Sequence, residues 1–214
     1  MLTFNSCFVM RKKPRQARAQ RRVDDLIEAT ALEIVDRGLV ETTTNHIAER
    51  AGVSIGSLYQ YFEGKSDLII ALIERMSAQI LDAVDEAAAD VLAADTRMAV
   101  ERMLEATLVV VDRRPALYLE LMRHWQTTGV LTVIEALEDH TMEVCRRYVL
   151  RHHERLQIED LRPVLFVIVN ATLFPLMRYL GLANPGFGRD ALIASLSDMI
   201  AGYVDTSLVR SAQG

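Results

Sequence analysis

Thr43-Thr44-Asn45-His46-Ile47-Ala48-Glu49-Arg50-Ala51-Gly52-Val53-Ser54-Ile55-Gly56-Ser57-Leu58-Tyr59-Gln60-Tyr61-Phe62 sets two short helical patterns around one glycine. Thr43 or Thr44 can cap the first helix, because a hydroxyl there accepts a backbone N–H from one turn further on. Ile47, Ala48 and Ala51 share one face, and Ala48 is small enough for a neighbouring helix to come close. Gly52 accepts the left-handed backbone that ends a helix. Ser54 then caps a second helix expected over residues 55–62, with Leu58 and Phe62 turned inward. The other face of that helix holds Ile55, Gly56, Ser57, Gln60 and Tyr61, with Tyr59 on its flank. At 1.5 Å per residue it would be about 12 Å long, comparable to the width of a DNA major groove.

Working outward, the run Ile47-Ala48-x-x-Ala51-Gly52-Val53-Ser54-x-Gly56-x-Leu58-Tyr59-x-Tyr61-Phe62-x-x-Lys65-x-x-Leu68 resembles the DNA-binding signature of the tetracycline-repressor (TetR/AcrR) family of bacterial transcription regulators. Gly38 matches the glycine that ends the first helix of that pattern. His46 departs from it, standing where an acidic partner for the cap is common, so a reciprocal capping box is missing. The resemblance implies an all-α protein in which a three-helix helix-turn-helix head precedes a helical bundle for ligand binding and dimerisation. By the same residue-wise match, Thr44, Tyr59, Tyr61 and Lys65 are expected at phosphates, Ile55, Gly56, Ser57 and Gln60 are expected to face base edges, and the cap residue Ser54 is counted with the DNA-binding set. The amide of Gln60 suits bidentate pairing with adenine, and Ile55 suits a thymine methyl. For Tyr59, burial of the ring competes with a phosphate contact.

Net charge is −5 over 214 residues, which alone would oppose DNA binding, but the sign is unevenly spread. Residues 1–65 hold 10 Lys and Arg against 8 Asp and Glu; the remainder holds 14 against 21. Seven of the basic residues lie between Arg11 and Arg22. Local positive charge governs phosphate binding through counterion release, so the basic end is the relevant quantity. The two cysteines, Cys7 and Cys145, are far apart and suit a reducing cytosol. The first ten residues lack the preceding positive region of a secretory signal, and Met10 before Arg11-Lys12-Lys13 is a second possible translation start. The most apolar run, Leu165 to Met177, has 13 residues against about 20 for a bilayer span, so no membrane partner is expected. A cytoplasmic protein follows as the expectation.

Three regions are expected: a mobile basic arm over 1–18, the helix-turn-helix domain over 19–65, and an effector-binding and dimerisation domain over 66–214. The head's first helix shows an apolar stripe of Val23, Leu26, Ile27, Ala31, Ile34 and Val35, ended by Gly38. A fourth helix is expected near Asp67, striped by Leu68, Ile69, Leu72, Ile73 and Met76. Further periodic segments predict helices near 96–113, 115–127, 131–156, 160–180 and 189–209, separated by turn signals at Pro115, Gly129, Gly181 and Asn184-Pro185-Gly186.

The stripes Leu165, Val169, Leu173 and Leu192, Leu196, Met199, Ile200, Tyr203 are candidates for self-association, with intramolecular core as the competing reading. The resemblance implies that these C-terminal helices form a homodimer, which would present two heads to a palindrome. An effector pocket is expected among Met103, Met122, Trp125 and Tyr148, together with Phe166, Asn170, Phe174 and Met177 on one helix. Ordinary core packing competes at each. Asn170 must find partners or face a cavity, and Pro175 removes a helix hydrogen bond. This lining suits an apolar, aromatic or acyl-like ligand.

His152-His153-Glu154 does not converge on one ion, because adjacent helical residues point about 100° apart. No metal or cofactor is expected. No nucleophile elbow, phosphate loop or zinc-protease spacing occurs, so no catalytic residue is assigned and an enzyme is not expected. The reading is a ligand-responsive repressor released from a palindromic operator by a small effector. A transcriptional activator of the same fold, and a ligand-binding helical protein without DNA binding, remain as alternatives.

Overall fold

Apolar side chains recurring every three or four residues coil this chain into helices with one buried face each. The structure, a computed structural model, describes residues 17–90, 94–124, 138–148 and 158–211. The helices are α1 (Ala17–Arg37), α2 (Thr44–Arg50), α3 (Ile55–Tyr59), α4 (Lys65–Asp90), α5 (Thr96–Val111) and α6 (Pro115–Arg123). They continue with α7 (helical residues 138–148), α8 (Ile158–Leu180) and α9 (Arg189–Ser211). All regular structure among the described residues is helical, as the sequence predicts. Most of the expected basic arm, and the expected helical residues 125–127, 131–137 and 149–156, lie outside them.

The chain divides into two units. One comprises Met1–Ala78 and Pro115–Val133, and the other Gln79–Arg114 and Ile134–Gly214. Within the first, α1 packs on α2 and α6, and α2 packs on α3. Val23, Leu26, Ile27, Ala31 and Ile34 are buried as expected, but Val35 stands 47% exposed. Thr30 and Glu33 are buried instead. The Thr30 hydroxyl donates to the Leu26 carbonyl at 2.8 Å, which satisfies it inside the helix. Gly38 and Gly52 have φ of +83° and +66°, the left-handed backbone that ends α1 and turns α2 into α3. All five residues of the expected α4 stripe are buried.

Glu33 is the charged centre of this unit. It accepts from Arg37 Nε at 2.7 Å and from Arg50 Nε, while Arg50 also donates to Asp36. Burial pushes the Glu33 carboxyl up, but the hydrogen bonds from Arg50 and Arg37 outweigh it and hold it below its ordinary value. A buried carboxylate survives only when paired and hydrogen-bonded, so α1 and α2 are tied through a contact whose loss would leave a charge stranded.

In the second unit α5 and α8 both pack against α9. Ala99, Tyr148, Leu161, Leu165, Ile168, Ile200 and Val204 form one apolar cluster. Leu104, Leu108, Leu176, Leu192, Ile193 and Leu196 form another. Asp95 caps α5 by accepting the Met98 N–H at 2.9 Å. α8 runs unbroken through Pro163 and Pro175. Its stretch Leu161–Leu180, which contains the expected 13-residue apolar run, is 20 residues long and apolar enough to cross a membrane by length and composition only. Five of its residues, Leu161, Leu165, Ile168, Val169 and Leu176, are buried in this unit, and Asn170 donates to Glu138 at 2.8 Å. That arrangement is a bundle helix with one core face. Burial in apolar surroundings pushes the Cys145 thiol up to about 11, so it is inert filler.

Candidate nucleic-acid interface

The candidate site is built by two caps and a glycine. Thr43, in extended conformation, caps α2 by accepting the His46 N–H at 3.3 Å. His46 cannot return the favour, and its Nδ1 is buried without a hydrogen-bond partner. Ser54 caps α3, accepting the Ser57 N–H at 3.2 Å and sharing a 2.9 Å hydroxyl contact with Ser57. The cap residues are those the sequence singles out, since a short hydroxyl side chain reaches the first free amides.

α3 is shorter than expected. It spans five residues, with Gln60 as its C-cap, so its length is about 7.5 Å. Tyr61 and Phe62 still donate their N–H groups to the Leu58 carbonyl, both at 3.0 Å, which tightens the chain past the helix end. Leu58 and Phe62 are fully buried, as their spacing predicts. Ile55, Gly56, Tyr59 and Gln60 are exposed, and Ser57 is half-buried.

Gly56 has no positive φ, and a Cβ added to it would meet open space. Nothing within the chain therefore requires glycine at this place. Its helical cost against alanine is about 0.8–1 kcal/mol, so its use points to something that approaches from outside.

The structure brings Thr44 and Tyr59 together, with their hydroxyls 3.3 Å apart at the surface. Two expected phosphate contacts sit differently. Tyr61 is buried, with only 7% of its surface exposed. Lys65 donates from Nζ to the carbonyls of Leu39 and Val40, at 3.0 and 3.1 Å. Arg37 and Arg50 are also committed, to Glu33 and Asp36. Arg18 and Arg21, exposed in the first turn of α1, belong to the basic run.

Among the described residues of the second unit, the expected effector residues differ in burial. Tyr148 is buried, donating its hydroxyl to the Ala94 carbonyl at 2.7 Å, and Met103 packs against the same cluster. Phe166 and Phe174 are exposed at 55% and 47%. Met177 is half-buried, and Met122 belongs to the first unit. Trp125 lies outside the described residues. Asn170 is satisfied by Glu138 and by the Phe166 carbonyl.

The candidate association stripes separate likewise. Leu165, Val169, Leu192, Leu196 and Ile200 are buried within the single chain, so they are core rather than an open interface, and Leu173 is half-buried. Met199 and Tyr203 on α9 are exposed. Phe166, Val167 and Phe174 on α8 are exposed as well, and of these Val167 carried no sequence expectation. Apolar periodicity located the stripes but could not say which side of each meets its own chain. The burial of Glu33 was also unforeseen, although its place on the buried stripe between Thr30 and Ile34 is a signal the sequence contains.

Two capped helices around a left-handed glycine, with an exposed polar and glycine-bearing outer face, define a helix-turn-helix head of the DNA-binding class. Residues 26–72, which hold the helix-turn-helix head, match the family model described as bacterial regulatory proteins, tetR family. It is similar to the fatty acid metabolism regulator protein of Bacillus subtilis, 26% identical over 45% of this chain and 50% of that one. It is also similar to the HTH-type transcriptional repressor KstR2 of Mycolicibacterium smegmatis, 43% identical over 24% of each chain. The chain spans between 24% and 61% of the length of curated relatives it matches. Among solved structures, a tetR-family transcriptional regulator from Streptomyces coelicolor shares the fold with a TM-score of 0.68, at 21% identity, covering 91% of this chain and 85% of that one.

Proposed function

We propose that this protein is a ligand-responsive transcriptional repressor, working in the cytoplasm, that binds a palindromic operator as a homodimer. The observation that carries this reading is the outer face of α3, where Ile55, Gly56, Tyr59 and Gln60 are exposed and Gly56 has no internal reason to be glycine. Gln60 reads a base edge, Ile55 presses on an apolar base surface, and Gly56 lets the backbone approach closely. Thr44 and Tyr59 hold one phosphate between their hydroxyls. The basic run Arg11–Arg22 supplies the attraction that a chain of net charge −5 otherwise lacks. A relative that is named a repressor supports the sign of the regulation.

In the homodimer the exposed apolar residues of α8 and α9, Phe166, Val167, Phe174, Met199 and Tyr203, are covered by the same helices of a second copy. The effector is a small apolar, aromatic or acyl-like molecule held in the region from residue 66 onward. A regulator of fatty acid metabolism among the relatives is in keeping with that chemistry. α4, whose residues are shared by both units, is one covalent route between them. An effector that lowers operator affinity tenfold to hundredfold must discriminate between the two states by about 1–3 kcal/mol.

A mobility-shift titration on the DNA upstream of its own gene, at stated salt, tests the reading. A retarded band that a fatty acyl or aromatic compound abolishes is the expected result. Two other readings give different outcomes: an activator of the same fold would lower its target transcripts when deleted, and a ligand-binding protein without DNA function would retard no fragment.

A further inference from the structure

The turn between α1 and α2 is held at one residue, Leu39, by two charges of opposite sign. Glu120 Oε1, on α6, accepts the Leu39 N–H at 2.9 Å. Lys65 Nζ, in the first turn of α4, donates to the Leu39 carbonyl at 3.0 Å and to Val40 at 3.1 Å. Hydrogen bonds with one ionised partner are roughly twice as strong as neutral ones, so this turn is fixed more firmly than its own backbone would fix it. Gly38 completes the grip: its φ is +83°, and a Cβ there would come within 3.3 Å of Glu120 Oε1. Arg123 lies 4.0 Å from Glu120 Oε2, and His124 lies 3.4 Å from the same Oε1 that accepts the Leu39 N–H. Leu39 itself is buried.

We infer that Glu120 and Lys65 are positioning residues for operator binding, gripping Leu39 at its N–H and its C=O and so setting where α2 begins. This rests on the reading of the head as DNA-binding. The chain of consequence is short. The held turn leads directly into Thr43, the cap of α2, and Thr44, whose hydroxyl meets Tyr59 of α3. Displacing the turn moves Thr44 away from Tyr59 and opens the pair that faces the phosphate. Lys65 thus acts through the turn, with two of its three protons already committed, rather than as a phosphate contact.

The test uses the full chain and a duplex that the wild-type protein enriches from a random pool. Glu120→Ala and Lys65→Met each weaken binding about tenfold, and the double variant is scarcely weaker than either, because both act through one residue, Leu39. Glu120→Gln keeps an acceptor oxygen and stays within about threefold of wild type. The slope of log affinity against log salt is unchanged in Lys65→Met, and amide exchange at Leu39 accelerates in Glu120→Ala without DNA present. A slope shallower by about 0.9 per subunit would make Lys65 a phosphate contact and overturn the inference. Additive losses, or wild-type affinity in Glu120→Ala, overturn it equally. Should Glu120→Ala lose its helical signal, Glu120→Asp, one methylene short of Leu39, carries the same expectation. Failure of wild-type protein to enrich any duplex removes the DNA-binding reading as well, whereas unchanged Leu39 exchange removes the grip alone.

Discussion

The hydroxyls of Thr44 and Tyr59, fifteen residues apart in sequence, meet 3.3 Å from each other on the surface of the helix-turn-helix head. One begins α2 and the other ends α3, so their meeting measures how the two helices are set. Two adjacent hydroxyls also make a bidentate donor for a phosphate oxygen. Tyr59→Phe and Thr44→Val should each cost about 0.5–1.5 kcal/mol of binding, with little dependence on base sequence. Titration on matched specific and scrambled duplexes checks this, and a loss confined to the specific duplex would contradict it.

Gly56→Ala separates folding from recognition. The added methyl meets no atom of the chain, and alanine is the better helix former by up to about 1 kcal/mol. Thermal melting should therefore be unchanged or slightly raised, while operator affinity falls by about tenfold or more through a clash with the approaching duplex. Equal affinity in the variant would mean that α3 does not come close to DNA at this point.

The Glu33 contact gives a pH dependence with a definite sign. Its carboxyl is held below the ordinary value in the folded state, so its contribution to stability is fully present above the unfolded value of about 4.3. That contribution is lost as the pH falls through the lower folded value. Glu33→Gln should lower Tm near neutrality, with the gap from wild type closing below about pH 4. Calorimetry from pH 3 to 7 checks this; a gap that widens in acid would reverse the assignment.

Self-association should depend on the exposed side of α9 and not on its buried side. Tyr203→Glu is expected to leave a folded chain that sediments as a monomer, since Tyr203 is exposed. Leu196→Glu is expected to unfold the second unit, because it places a charge in the apolar cluster shared with Leu104 and Leu176. Sedimentation together with circular dichroism distinguishes the two, and a dimeric Tyr203→Glu would place the interface elsewhere.

Much of the head was legible because its signals are local. Gly38 and Gly52 are read from the sequence as helix ends, and each has the left-handed φ that this requires. Leu58 and Phe62 are read as inward by their spacing, and both are fully buried. Helix length was less legible: the chain past Tyr59 keeps turn-like hydrogen bonds to Leu58, which apolar spacing cannot tell from a continuing helix. The grip on Leu39 joins residues 81 apart, and no periodic pattern announces it. The stripes of α8 and α9 are apolar on more than one side, so spacing alone merged Leu165 and Val169, which are core, with Met199 and Tyr203, which are not.

Selection of duplexes from a random pool by wild-type protein and by Gln60→Ala tests the central claim, that the outer face of α3 reads bases from a symmetric pair of chains. A palindrome is expected for the wild type and, for Gln60→Ala, the same palindrome with preference relaxed at one adenine-bearing position in each half. An enriched site without two-fold symmetry, or a preference unaltered by loss of the Gln60 amide, would contradict it.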